Sequence, residues 1–174
     1  MQYCRSLTAG ACYFITANLA DRRSSLLTDN IDLLRVAIAK VKTAQAFHID
    51  AIVVLPNHFH LLMTLPPDDA NFSVRIGAIK STFSRQIPSV ENIVPSRLAK
   101  RERGIWQRRF WEHLIRDDRD FSAHVDYIHM NPVKHGYASK ASHWPHSSIR
   151  RYIKNGMVSA DWGVASNAGE FGER

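Results

Sequence analysis

The sequence predicts an α+β fold of the ferredoxin-like kind, an antiparallel sheet in β-α-β-β-α-β order with helices packed on it and a further C-terminal helix and tail. Short stretches of period two alternate with longer stretches in which apolar residues recur every three or four positions. Two of the short stretches are separated only by Pro56-Asn57, which favours a tight hairpin. The length of 174 residues fits one compact domain with a short appendage.

The first half of the chain supplies three predicted strands and one helix. Residues 11–18 (ACYFITAN) are rich in β-branched and aromatic side chains and predict the first strand. A helix over residues 30–46 follows, with Asp29 as its N-cap. Residues 49–55 alternate as the second strand, and residues 58–65 (HFHLLMTL) as the third, so we expect an antiparallel hairpin.

The second half predicts two more helices and the last strand. One helix begins at Phe72 and ends before Pro88, with Arg75, Lys80 and Arg85 on its outer face. Residues 105–116 predict a strand, with room for a bulge, and residues 118–131 a helix that stops at Pro132.

Two segments lack a clear period. Residues 89–104 carry Arg97, Lys100, Arg101 and Arg103 and are interpreted as a basic loop. Residues 157–174 are also weakly periodic and are expected to form a flexible C-terminal tail, so residues 1–156 are assigned to a single domain.

The composition indicates a polyanionic partner. Lys and Arg number 23 against 16 Asp and Glu, a formal net charge of +7. The two cysteines, Cys4 and Cys12, form no CxxC pair, so neither a zinc knuckle nor a disulfide framework is indicated. No apolar run approaches the ~18 residues of a membrane span, and we expect a cytoplasmic, nucleoid-associated protein.

The first candidate site is the pair His58 and His60. Residues two apart on a strand project to the same face, whereas Phe59 between them points into the opposite core. Neighbouring imidazoles on a rigid strand can bind one metal ion. The alternative is that two histidines merely flank a turn.

The second candidate site lies on the helix over residues 118–131. His124, Tyr127 and Asn131 are spaced by three and four, so they share one stripe of that helix. Such a stripe presents an imidazole, a hydroxyl and an amide together. The alternative is a core-edge tyrosine and an asparagine that only ends the helix.

Five stretches together resemble a known family. They are PNHFHLLMTL at 56–65, KSTFSRQ at 80–86, WQRRFWEHLIRD at 106–117, YIHMNPVKHG at 127–136 and HWPHSSIRRY at 143–152. In order and spacing they resemble the REP-associated tyrosine transposases, relatives of the small insertion-sequence transposases in the single-tyrosine HUH (His-hydrophobic-His) nuclease superfamily. The resemblance runs from about residue 11 to residue 153.

The resemblance implies a function and assigns roles to residues. His58, His60 and Asn131 would hold a divalent metal, Mg²⁺ or Mn²⁺, and Tyr127 would be the nucleophile that cuts DNA through a 5′-phosphotyrosine link. The expected activity is that of a metal-dependent single-stranded DNA endonuclease and strand transferase. The expected substrate is a repetitive extragenic palindrome (REP), a hairpin with a short guide sequence.

Further residues are expected around this site. Glu112 and His124 are candidates for supporting roles, although for Glu112 a structural pairing with Arg108 or Arg109 is slightly favoured. Trp106, Phe110 and Trp111 could stack on unpaired bases, although a core position is favoured for the last two. The candidate DNA-binding residues are Lys80, Arg85, Arg108, Arg109, Lys134, Arg150 and Arg151.

The sequence is also compatible with rival functions. The first is a catalytically silent hairpin-binding regulator on the same fold. The others are a replication or conjugation initiator of the wider HUH group and a metal-dependent hydrolase of small molecules. One His-x-His and one Tyr-x-x-x-Asn allow a complete site in a monomer, while a dimer stays possible.

Overall fold

A four-stranded antiparallel sheet carries the fold of the computed structural model, which describes residues 7–88 and 103–163. The strands lie in the order β2-β3-β1-β4, which is the ferredoxin-like arrangement and confirms the predicted fold class. The strands are β1 (Cys12–Asn18), β2 (His48–Val54), β3 (His58–Thr64) and β4 (Trp111–Leu114). The helices are α1 (Leu26–Asp29), α2 (Ile31–Ala44), α3 (Phe72–Gln86), α4 (Asp118–Lys134) and α5 (Ile149–Lys154), with a 3₁₀ turn at Ala141–His143.

The first face of the sheet is an apolar core under α2 and α3. The alternation in β3 sends Phe59, Leu61 and Met63 to this face, where each side chain is fully buried. In the neighbouring β1, Tyr13 and Ile15 pair with Met63 and Leu61 and join the same core. The predicted core face of the hairpin is confirmed.

The second face of the sheet is covered by α4. Phe14 of β1 and Leu62 of β3 pack there against Val125 and Ile128 of the helix. A strand's second face can remain in solvent, but here the helix buries it. The polar residues of β3 that share this face are therefore also removed from water.

A β-bulge in β2 anchors the C-terminal helix. The register between β2 and β3 shifts between Ile49 and Ala51, which places the extra residue at Asp50. The Asp50 carbonyl accepts hydrogen bonds from the Tyr152 hydroxyl, at 3.0 Å, and from Arg151. The bulge thus fastens α5 to the sheet.

The last strand is shorter than predicted. Residues 105–116 were expected to be extended throughout, but only Trp111–Leu114 pair regularly with β1. Trp106 makes an isolated bridge to Leu19. The buried Trp106 ring packs between Phe59 and Phe83 instead, so core packing interrupts the ladder.

The prediction that α4 ends before Pro132 is wrong. The helix runs to Lys134 with Pro132 inside it. A proline there gives up one backbone hydrogen bond, and the residue before it is only biased away from helix. Met130, Asn131 and Pro132 are all buried, so packing overrides that bias in the last turn.

Two smaller predictions about the helices are also wrong. Asp29 belongs to α1, and Asn30 is the residue that precedes α2. Arg75 does not lie on an outer face, because it is 3% exposed. Its guanidinium donates to Asp69, at 2.7 Å, and to the carbonyls of Gln45, Ala46 and Asn71.

The start of the predicted tail packs on the domain. Val158 and Trp162 are partly buried against Met130 and Ile149, and Lys140 pairs with Asp161 at 2.6 Å. Residues 164–174 lie outside the described residues, as do Arg97, Lys100 and Arg101 of the predicted basic loop. No helix within the described ranges is long and apolar enough to cross a membrane.

Candidate active site

The two histidines of β3 lie side by side beneath α4. His58 and His60 pair across the ladder with Asn18 and Thr16 of β1, which fixes both on the second face of the sheet. Their ring centroids are 4.9 Å apart, and both residues are buried. The predicted juxtaposition of two imidazoles is present.

One nitrogen of each ring is oriented by a polar neighbour. His60 Nδ1 lies 2.8 Å from Thr16 Oγ1, and His58 Nδ1 lies 2.6 Å from Asn57 Oδ1. An amide oxygen only accepts, so His58 donates from Nδ1, and in the neutral imidazole the lone pair is then on Nε2. Nε2 is therefore the ring atom with which His58 could bind a metal ion.

Helix α4 places a tyrosine against this pair. The Tyr127 ring lies 5.2 Å from the His60 ring and 5.8 Å from Phe14, and the residue is 5% exposed. Lys134 Nζ lies 5.2 Å from the centroid of the Tyr127 ring. A positive charge at this distance would stabilise a phenolate more than a phenol.

An asparagine with unsatisfied polar atoms lies one turn beyond the tyrosine. Asn131 is fully buried, and its Oδ1 and Nδ2 make no hydrogen bond within the described residues. Tyr127 and Asn131 are four residues apart along one face of the helix, and His135 follows at the same spacing as the residue that caps its C-terminal end. Because Tyr127 contacts His60 and the His135 ring lies 5.6 Å from His58, the side of the helix that carries Asn131 is turned towards the two histidines.

The fit to a divalent metal rests on this asparagine. A buried amide without a partner costs about 1–3 kcal/mol, so a native fold normally satisfies it. An amide oxygen together with two imidazoles would make a mixed oxygen and nitrogen ligand set, which suits Mn²⁺ and, less well, Mg²⁺. His58, His60 and Asn131 therefore fit the divalent metal that the family resemblance implies for them.

A second histidine cluster lies on the same face of the sheet. His113 Nε2 lies 2.8 Å from Asp120 Oδ2, His124 Nδ1 lies 3.1 Å from Asp120 Oδ1, and the two imidazoles stack at 4.7 Å. Within the described ranges, it is the one group of three or more His, Cys, Asp or Glu residues close enough to share a metal ion. The chain thus has a His/Asp group that could hold a metal.

Charge in this second cluster is distributed unequally. Burial opposes ionisation of Asp120, but hydrogen bonds from His113 and from the Arg116 backbone outweigh it and lower the Asp120 pKa to about 2. Burial lowers the pKa of His124, against the hydrogen bond to the Asp120 carbonyl. The carboxylate is therefore charged, and a neutral His124 is favoured.

Glu112 is not brought to the tyrosine. It pairs with Ile15 of β1, so its side chain points to the first face of the sheet, under α2 and α3. A one-residue offset on a strand reverses the face, and it is His113 that lies on the α4 side.

His135 is a site residue that the sequence reasoning missed, although its spacing of four from Asn131 was a usable signal.

The predicted basic residues fall into separate groups. Lys80, Arg85 and Arg108 line one groove together with Arg103 and Trp106. Within it, Lys80 Nζ donates to the Gln107 carbonyl at 2.7 Å.

The other basic residues lie elsewhere on the surface. Arg109 and Arg150 are exposed, and Lys134 is exposed beside Tyr127. Arg151 donates to the carbonyls of Ile49 and Asp50, so part of its role is to hold α5.

An antiparallel sheet with two paired histidines facing a helical tyrosine is the arrangement expected for a single-tyrosine transposase. Comparison with known proteins identifies the family. Residues 10–131 match the family model described as IS200-like transposase. The chain is 42% identical over 173 residues to the REP-associated tyrosine transposase of Escherichia coli K12, covering 99% of this chain and 97% of that one. It is 48% identical over 162 residues to a candidate REP-associated tyrosine transposase of Haemophilus influenzae, covering 92% of each.

A solved structure agrees with these relatives. A REP-associated tyrosine transposase bound to a REP hairpin superposes with a TM-score of 0.85 at 43% identity, covering 100% of this chain and 98% of that one. The chain therefore belongs to the IS200-like transposase family, within its group of REP-associated tyrosine transposases. Members of this family are DNA-processing enzymes, so the expected class of function is confirmed.

Proposed function

We propose that the protein cuts and rejoins single-stranded DNA at REP-type hairpins, with Tyr127 as the nucleophile and a divalent metal as its cofactor. The observation that carries this proposal is the placement of Tyr127 against His60, one turn from a buried amide without a hydrogen-bond partner within the described ranges. A hydroxyl, two imidazoles and an amide on one buried face have little structural purpose together. They suit transfer of a phosphodiester to a side chain.

The hydroxyl of Tyr127 performs the bond exchange. Its oxygen attacks the phosphorus in line, an O–P bond forms, and the bond to the 3′-oxygen breaks. The phenolic proton is lost, and a proton ends on the departing 3′-oxygen. The DNA is left with a 3′-OH and a 5′-phosphate on Tyr127, and attack by a 3′-OH reverses the step and joins strands.

Residues around the tyrosine would prepare it for this step. Lys134 is close enough for its charge to stabilise the phenolate. Thr16 and Asn57 hold the imidazoles of His60 and His58 in fixed orientations. A divalent ion bound by His58, His60 and Asn131 would polarise the scissile phosphate and stabilise the charge that develops on it.

The DNA would follow the basic surface. A REP hairpin is the ligand named for the solved relative, and a net charge of +7 suits a phosphate backbone. Lys80, Arg85 and Arg108 could contact phosphates from the groove that they line, and Arg109 and Arg150 from exposed positions. One chain contains every residue that this reaction requires, so the proposal needs no second subunit.

The test is Tyr127→Phe, with Tyr13→Phe as its matched control. Tyr13 is a buried tyrosine on the opposite face of the sheet, where its hydroxyl hydrogen-bonds with Thr8. Wild type and control should form a covalent adduct with a REP hairpin in Mn²⁺ but not in EDTA, and should leave the fully paired duplex uncut. Tyr127→Phe should bind the hairpin almost as tightly as wild type and form no adduct, because only the hydroxyl is missing.

Two results would overturn the proposal. Cleavage by Tyr127→Phe at the wild-type rate would remove the tyrosine mechanism, and unchanged cleavage in EDTA would remove the metal. Hairpin binding by a wild-type protein that never cuts would instead support the silent regulator.

A further inference from the structure

An exposed tryptophan stands at the edge of the sheet beside the candidate active site. Trp111 is 49% exposed, against 7% for Trp106 five residues earlier. It opens β4, which pairs only with β1 among the described strands. The expectation that Trp111 is a core residue is wrong, and the exposed indole offers a flat aromatic surface to a ligand.

The register places Trp111 on the face that carries the tyrosine. Trp111 pairs with Thr16 of β1 and therefore points to the α4 side. Its ring lies 5.6 Å from Phe14, which in turn lies 5.3 Å from His60 and 5.8 Å from Tyr127. One aromatic ring thus separates the exposed tryptophan from both halves of the site.

The second histidine cluster supports this ring from behind. The indole of Trp111 is parallel to the His113 imidazole, with 6.1 Å between centroids and 5° between planes. His113 is held by Asp120 at 2.8 Å and stacks on His124 at 4.7 Å. A ring fixed in this way loses little conformational entropy when another flat group stacks on it.

Charge beside Trp111 favours a nucleic acid over an apolar partner. Arg108 and Arg109 precede it in the chain and are both exposed. A flat aromatic surface next to guanidinium groups is the usual combination for an unpaired nucleotide, whose base stacks while its phosphate pairs. A protein partner would need a wider apolar surface than a single ring.

We propose that Trp111 is a stacking platform for one unpaired base of the DNA strand, close to the phosphate that Tyr127 attacks. This inference rests on the proposed function. Phe14 contacts both the platform and the tyrosine, so a strand stacked on Trp111 would enter the site in a fixed register. The cluster of His113, Asp120 and His124 then serves as the support of the platform.

The experiment compares binding of Trp111→Ala, Trp111→Phe and wild type to three DNA probes. The first is a REP hairpin with unpaired flanks, the second the same hairpin with blunt ends, and the third a set of flanked hairpins with one abasic site at each flanking position in turn. The matched control is Val74→Ala, because Val74 is a comparably exposed apolar residue, 53% exposed, on α3.

The expected result is selective for the flanked hairpin. Trp111→Ala should weaken its binding by roughly five- to 150-fold, the range for loss of one stacked base, whereas Trp111→Phe should retain most of the affinity. The blunt hairpin and Val74→Ala should show no such loss. At one abasic position the wild type should lose a similar factor, and Trp111→Ala should add nothing further.

Three outcomes would overturn the platform while leaving the proposed function standing. Wild-type affinity of Trp111→Ala for the flanked hairpin is the first. The second is an equal loss on flanked and blunt hairpins, and the third is additive losses from Trp111→Ala at every abasic position. Failure of the proposed function is a separate observation, namely a wild-type protein that binds these probes but forms no covalent adduct in Mn²⁺.

Discussion

The contact between Thr16 and His60 offers a test of the metal site that leaves every proposed ligand in place. Thr16 Oγ1 lies 2.8 Å from His60 Nδ1, and both residues are buried. Thr16→Val keeps the β-branched shape that the strand favours and removes only the hydrogen bond. The imidazole of His60 then loses the contact that fixes its ring.

The size of the effect follows from two separate costs. Loss of a hydrogen-bond partner by a buried polar group costs about 1–3 kcal/mol of folding stability. Removal of the group that orients a metal-binding histidine typically costs about 10- to 100-fold in metal affinity or activity. We therefore expect Thr16→Val to need roughly 10- to 100-fold more Mn²⁺ for half-maximal adduct formation, with a lower melting temperature.

The control is Thr64→Val at the other end of the same sheet face. Thr64 Oγ1 donates to Asp50 Oδ2 at 2.7 Å, so this variant also loses a partly buried hydrogen bond. The assay titrates Mn²⁺ against covalent adduct formation on a REP hairpin, with thermal unfolding measured in parallel. Both variants should melt earlier, but only Thr16→Val should shift the Mn²⁺ requirement. Identical Mn²⁺ curves for the two variants would refute the assignment of His60 as a ligand.

Two further predictions concern buried residues of α4. Burial lowers the pKa of His129 to about 4, from the ordinary 6.5. The neutral, buried His129 therefore contributes its full stabilisation above pH 6.5, and this contribution is lost as the pH falls towards 4. At pH 5 the wild type should have lost about 2 kcal/mol of its free energy of unfolding, and His129→Gln should show no such loss. Urea unfolding at a series of pH values measures this difference. Parallel pH dependences of the two proteins would contradict the prediction. Asn131→Leu should leave the free energy of unfolding unchanged or raise it, because the variant removes unsatisfied buried atoms. The same variant should cut Mn²⁺-dependent adduct formation at least about tenfold. A strongly destabilised but active variant would show that the amide is structural.

Positions on one strand or one helix could be predicted from the sequence because their geometry is local. The pleat alternates strictly, so the sequence placed His58 and His60 on one face and Phe59 on the other. Helical spacing likewise placed Tyr127 and Asn131 on one stripe. The proximity of this stripe to the two histidines depends on how α4 packs on the sheet. In the sequence, only the family resemblance indicated that proximity.

The failures came where one residue of register or tertiary packing decides. Glu112 and His113 exchange faces if β4 shifts by one position, and a four-residue strand gives too little pattern to fix the phase. The helix continues through Pro132 because packing outweighs a local bias. Exposure of Trp111 follows from its place on an edge strand, and the strand order is not written in the segment itself.

Buried polar groups of this protein separate into those that are satisfied and those that are not. Arg75 is 3% exposed and is paired with Asp69 and three backbone carbonyls, as structural burial of a charge requires. Asn131 is equally buried, yet its amide has no hydrogen-bond partner within the described ranges. A fold that satisfies a guanidinium so completely has no physical reason to leave an amide unsatisfied for stability alone. The unsatisfied amide lies on the helix face that carries Tyr127. A metal ion bound to the amide there would also be placed to take part in the reaction of the tyrosine.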